Sequence, residues 1–233
     1  MVYTPTEHFA EMEHVLKESK LFEMMVEELN QTLALPVDVR INFTECGEPN
    51  AFYDPQSHQL SMCYELIEDA AQRFSELDLD EEELDQAVIS VAVYVFLHEL
   101  GHALADVLDL PITGKEEDAV DQLAIASLLD SGEEGAEVAL DAAAWFLTRL
   151  QDTDSIRQWP FWDQHSLDIQ RFYNILCWVY GKDPIKNAEL VHEECSPGDG
   201  GCLPQERAEG CQSEYQQLSK NWDKLLAPHL KKK

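Results

Sequence analysis

Apolar and polar positions along this chain follow two periods. Residues 37–43 (VDVRINF) alternate as a half-buried strand does, and residues 51–53 and 59–64 read as two arms of a hairpin turning at 54–57. Elsewhere the spacing is helical. Over residues 7–33, Phe9, Met12, Leu16, Leu21, Met24, Met25 and Leu29 line one face of an amphipathic helix. Further helices are expected over 66–74, 84–108, 118–129, 134–150, 167–180 and 215–226, with an acidic turn at 78–83. Residues 182–210, which carry Gly, Pro and two cysteines, read as a loop excursion. Strands early and helices later predict a helix-rich α+β fold with a small antiparallel sheet. The 233 residues suit one domain, with an N-terminal helix-and-sheet part over 1–80 and a helical part over 81–233.

One stretch follows neither period. Residues 87–97 (AVISVAVYVFL) are apolar on every side, as in a helix buried all round, and the run is shorter than the roughly 20 residues a membrane span needs. It ends in His98-Glu99-Leu100-Gly101-His102, an HExxH motif. Residues four apart on a helix share a face, so both imidazoles can reach one metal ion from one rigid element. Glu99, one residue round, is placed to act as general base toward a water activated by zinc. Satisfied core histidines are the bland alternative, yet three polar groups ending so apolar a helix would be costly to bury without a partner.

Catalytic zinc needs a third protein ligand. The extended metzincin pattern is excluded, because Ala105 and Leu108 stand where it requires Gly and His. After the helix-breaking Pro111 and Gly114, a second helix opens with Lys115-Glu116-Glu117-Asp118. Glu117 and Asp121 share its face, so Glu117 is the expected third ligand and Asp121 the acceptor for the outer nitrogen of a ligating histidine. Asp118 is the alternative ligand, and Glu116 reads as part of a solvated acidic face. For stabilising an oxyanion the leading residue is His165, near a helix start beside Asp163, with Arg171 and Tyr173 as alternatives. A surface helix cap is the other reading of His165. His8, His14, His58, His192 and His229 read as surface positions.

These residues resemble an uncharacterised bacterial family of zinc-metallopeptidase-like proteins, catalogued as a domain of unknown function and similar to the glutamate-zincins. The likeness is carried by 46–55 (CGEPNAFYDP) with 63–66 (CYEL), by 98–124 (HELGHALADVLDLPITGKEEDAVDQLA), by 163–166 (DQHS) with 170–172 (QRF), and by Cys211 with Glu214 and Tyr215. The resemblance implies a zincin-like metallopeptidase fold holding one zinc ion. By analogy it also implies that an extended peptide lies along the strand containing Asn50, Ala51 and Tyr53. The sequence departs from thermolysin-like enzymes in the short separation of His102 from Glu117 and in lacking an Asn-Glu pair at the third ligand.

Composition narrows the partners. Acidic residues number 46 against 16 basic, a formal charge of −30 that repels nucleic acid and anionic membranes. A peptide or protein substrate is expected, with no nucleic acid and no membrane insertion. The six cysteines contain no C-x-x-C pair, so three disulfides in an oxidising compartment are expected. Cys46 and Cys63 flank the hairpin, Cys195 and Cys202 would close a local loop, and Cys177 and Cys211 would staple a helix to the tail. Residues 1–20 have no apolar signal core, so the secreted or periplasmic expectation rests on the cysteines. Two functions follow from these readings: a zinc peptidase, or a catalytically silent, disulfide-stapled extracytoplasmic binding or scaffold protein on the same fold.

Overall fold

The computed structural model describes residues 1–150, 159–195 and 201–232. Its sheet has the order β1-β2-β4-β3, from β1 (Val2–Tyr3), β2 (Arg40–Thr44), β3 (Ala51–Asp54) and β4 (Gln59–Cys63). The expected hairpin is present, with β3 antiparallel to β4 and Ala51 opposite Met62. The wholly antiparallel sheet is not. β2 lies along the other edge of β4 and runs parallel to it, with Arg40 opposite Gln59 and Thr44 opposite Cys63. Two reversals separate β2 from β4 in the chain, so they point the same way, and the sheet is mixed. The burial that places β4 centrally is nonlocal: Leu60 and Met62 are fully covered.

The amphipathic stretch at the N-terminus forms two helices, α1 (Ala10–Ser19) and α2 (Leu21–Thr32). They part at Lys20, whose φ of 57° is left-handed, while Ser19 Oγ caps the Leu16 carbonyl at 2.8 Å. The break turns the face that continues into α2. Met24, on the expected stripe, is exposed, whereas Phe22 is fully buried and joins the two halves of the core. Its ring lies 4.8 Å from Phe43 of the sheet and 5.4 Å from Phe96 of the central helix.

That central helix is α4 (Glu81–Val107), preceded by α3 (Tyr64–Phe74). Its start is set by Asp80, whose side chain accepts from the N–H groups of Glu82 and Glu83, while the Glu83 carboxylate accepts from Asp80 N. By length and composition α4 could cross a membrane, but 78% of its apolar window is buried inside the protein, so its hydropathy serves the core. Around it pack α5 (Glu116–Asp130), α6 (Glu133–Thr148) and, behind α6, α7 (Asp168–Lys182). α8 (Gln205–Leu226) lies on α7 and begins well before the expected 215, because Pro204 starts it and Gly210 is accommodated within it. Part of the expected loop, 196–200, lies outside the described residues; β5 (Val191–His192) and β6 (Leu203–Pro204) pair on either side of it.

Three disulfides are formed: Cys46–Cys63, Cys177–Cys211 and Cys195–Cys202. Beside the first, Glu65 accepts the N–H groups of Cys46 at 3.0 Å and Gly47 at 2.7 Å, tying down the segment that leads into β3. Burial raises the Glu65 pKa, but backbone donors from its own residue, Gly47 and Cys46 outweigh it and leave the carboxyl below its ordinary value. A depressed carboxylate stabilises the fold above its unfolded pKa and ceases to as pH falls through the folded one. Glu65→Ala is therefore expected to cost about 1 kcal/mol at neutral pH. In urea titrations with disulfides intact, that difference should shrink below the ordinary carboxylate range and persist above it.

Candidate metal centre

α4 delivers His98, Glu99 and His102, and α5 delivers Glu116, Glu117 and Asp121. The two helices meet at Gly101, where an added Cβ would lie 2.7 Å from Val120 Cβ, so only a hydrogen fits between them. This close approach carries Glu117 between the two histidines. Its Oε2 stands 3.2 Å from His98 Nε2 and 3.2 Å from His102 Nε2. All three atoms lie within 4.8 Å of one another. Four-coordinate zinc holds such donors at about 2.0–2.1 Å, which puts neighbouring donors roughly 3.3 Å apart. The donor set and its spacing fit that ion.

Each imidazole is oriented from behind. His98 Nδ1 meets Asp121 Oδ1 at 2.7 Å, and His102 Nδ1 meets Glu116 Oε1 at 2.8 Å. A carboxylate only accepts, so both Nδ1 atoms carry a proton, and both Nε2 atoms point at Glu117 Oε2. Glu116, read from sequence as a solvated acid, is half exposed yet holds His102. Asp118, the alternative ligand, instead accepts a hydrogen bond from Ser166 Oγ at 2.6 Å.

Asp121 is in turn clamped. Tyr94 donates to its Oδ1 at 2.6 Å, and Arg171 reaches both oxygens at 2.7 Å. Burial would raise the Asp121 pKa, but Arg171 and His98 hold it well below the carboxylate range. Arg171, an alternative to His165 for stabilising an oxyanion, is engaged elsewhere. Its guanidinium lies against Asp121 and Tyr94, with its carbon 4.3 Å from the Phe146 ring centroid, so its charge is committed to the support of His98. Nothing in the sequence marks Tyr94 for this part, since a tyrosine within an apolar run reads as core.

The charge balance centres on Glu117. Burial raises its pKa, yet bonds from His102, His165 and His98 drive it far below the ordinary value. His102 is pushed down by burial and up by Glu117 and Glu116, which together bring it to about 9. His98 is likewise raised, with Asp121 and Glu117 outweighing burial. Protons and a divalent cation would compete for these donor atoms, so metal binding here would release protons. Glu99 is 7% exposed, and burial raises its pKa against the opposing pull of His98 and His102.

His165 approaches from the segment before α7. Its Nε2 is 3.0 Å from Glu117 Oε2, its ring lies 6.0 Å from that of His98, and its Nδ1 is 3.1 Å from Asp163 Oδ1. The centre opens onto a cleft of about 1120 Å³, one wall of which is β3 with Asn50, Ala51 and Tyr53. Asn50 Oδ1 accepts from Ala51 N, and the Tyr53 hydroxyl donates to Asp106 at 2.7 Å, fixing β3 to the end of α4. His58, read as an ordinary surface residue, joins that contact with Nδ1 3.0 Å from the Tyr53 hydroxyl.

A family model, DUF4344, described as "Putative metallopeptidase", matches residues 3–226. No curated protein and no solved structure gives a significant match.

Removing Arg171 should leave Asp121 buried and uncompensated. Arg171→Met is expected to lower unfolding free energy by about 3–5 kcal/mol. In the same urea titrations, adding Asp121→Asn should restore part of that loss; if the double variant is less stable than Arg171→Met alone, the buried-charge account fails.

Proposed function

The chain belongs to the DUF4344 family of "Putative metallopeptidase" proteins, and on that premise we propose that it is a zinc-dependent peptidase with a zincin-like fold. The observation that carries the reading is the meeting of His98 Nε2, His102 Nε2 and Glu117 Oε2, with both outer imidazole nitrogens already held by carboxylates. His98, His102 and Glu117 would hold the ion. When bound, zinc supplies Lewis acidity toward a carbonyl oxygen and lowers the pKa of water.

Glu99 is the general base in this scheme. Its buried carboxylate, on the same helix as the two histidines, takes a proton from the attacking water and passes it to the leaving amine. The raised pKa that burial confers suits a group that must both accept and return a proton. His165, oriented by Asp163, faces the same point and donates to the carbonyl oxygen as charge develops there. The substrate backbone lies along β3, which among the described residues pairs only with β4 and so keeps a free edge. Three disulfides fit a protein that works outside the cytoplasm, and secretion or periplasmic residence is part of the proposal.

The test uses zinc-loaded protein and a mixed peptide library read by mass spectrometry. Cleavage is expected, with kcat reduced about 10²–10⁴-fold in Glu99→Gln at unchanged metal content. Stoichiometric zinc without cleavage of any peptide would favour the catalytically silent binding protein. A second outcome decides the role of Glu99: Glu99→Gln cleaving at the wild-type rate would exclude it as the base.

A further inference from the structure

Most of the charged side chains lining the cleft are committed within the protein. Glu116, Glu117, Asp106, Asp163 and Arg171 each have a side-chain partner within 3.1 Å. Arg149 is different. It follows the last turn of α6, lines the cleft, and has Asp168 3.5 Å from its Nε as its nearest carboxylate. Among the described residues no acceptor meets its two terminal nitrogens. Its guanidinium carbon lies 4.7 Å from the ring centroid of Trp145, which holds the fork in place without using its hydrogen-bonding edge.

Trp145 supplies the second, independent observation. It also lines the cleft and is 5% exposed, and its buried Nε1 has no hydrogen-bond partner. A buried donor left unpaired destabilises the fold, a cost a native protein seldom bears without a use for it. The Trp145 Nε1 and the two terminal nitrogens of Arg149 thus stand on adjoining side chains at the cleft without an acceptor among the described residues. Leu66, Val95, Leu150 and Ile169 contribute apolar surface to the same cleft. A guanidinium fork in partly desolvated surroundings selects a planar, two-oxygen anion.

We propose that Arg149 and Trp145 form a carboxylate-recognition subsite, so that the cleft prefers peptides bearing a carboxylate at that end. The assignment rests on reading the cleft as a peptide site. The carboxylate is either the C-terminal group of a peptide or an aspartate or glutamate side chain. The formal charge of −30 opposes anionic ligands at long range, but fields beyond about 8 Å are screened at physiological ionic strength, and the local contact prevails. Arg149 also sits where a cation complements the C-terminal dipole of α6. That role needs only its charge, whereas selection of a carboxylate needs the fork.

Binding rather than turnover decides the matter, measured on zinc-loaded Glu99→Gln protein by fluorescence anisotropy. The probes are labelled Ala-Ala-Phe-Leu as free acid, the same peptide as C-terminal amide, and two amides ending in Glu or Gln. At least one carboxylate-bearing probe is expected to bind about tenfold more tightly than its neutral counterpart. Whichever pair shows the difference identifies the source of the carboxylate. Adding Arg149→Met should bring the ratio to about one, and Arg149→Lys, which keeps the charge without the fork, should keep only part of it. Equal affinities across both pairs, absence of binding by every probe, or a preference that survives Arg149→Met would overturn the subsite. Selective binding without any hydrolysis by the wild-type protein would instead count against the peptidase reading and leave the subsite standing.

Discussion

The candidate centre depends on how closely α5 can approach α4. At Gly101 the separation leaves room for a hydrogen and nothing larger, because Val120 occupies the space a side chain would need. That contact brings Glu117 and Asp121 to the same face as His98 and His102. One carboxylate then stands in front of the imidazoles and another behind His98. Two helices joined by a short, Pro- and Gly-containing link thus present every proposed ligand from rigid backbone, the arrangement that holds a coordination geometry most accurately.

Around this contact the electrostatics are layered. Asp121 can stay ionised while buried because Arg171 grips both its oxygens and Tyr94 donates to one of them. An ionised Asp121 fixes a proton of His98 on Nδ1, and Glu116 does the same for His102, so both Nε2 atoms face one point. Glu99 is treated differently: it is buried beside the imidazoles, where desolvation raises its pKa and suits it to moving a proton. Carboxylates of one centre are therefore shifted in opposite directions, set by what each one touches.

Much of the centre was legible in the sequence because its spacing is local to two helices. His98 and His102 share a face by the helical repeat, and so do Glu117 and Asp121. What was hidden depends on contacts between distant segments. Glu116 reads as a solvated acid until α5 is docked, and Tyr94 reads as core until Asp121 is seen against it. Arg171 looked free to meet a substrate because the buried carboxylate it neutralises lies 50 residues away. The same limit applies to the fold. Alternation in 37–43 reveals a strand but not its parallel alignment with β4, and periodicity over 7–33 conceals the left-handed turn at Lys20.

The proposed function requires two imidazoles and one carboxylate from α4 and α5 to bind a single zinc ion. X-ray absorption spectroscopy on protein loaded with one equivalent of zinc tests it most directly. A first shell of nitrogen and oxygen at about 2.0–2.1 Å containing two histidines is expected, which loses the carboxylate oxygen in Glu117→Ala and keeps both imidazoles. A shell without histidine, one containing sulfur, or one unaltered by Glu117→Ala would contradict it.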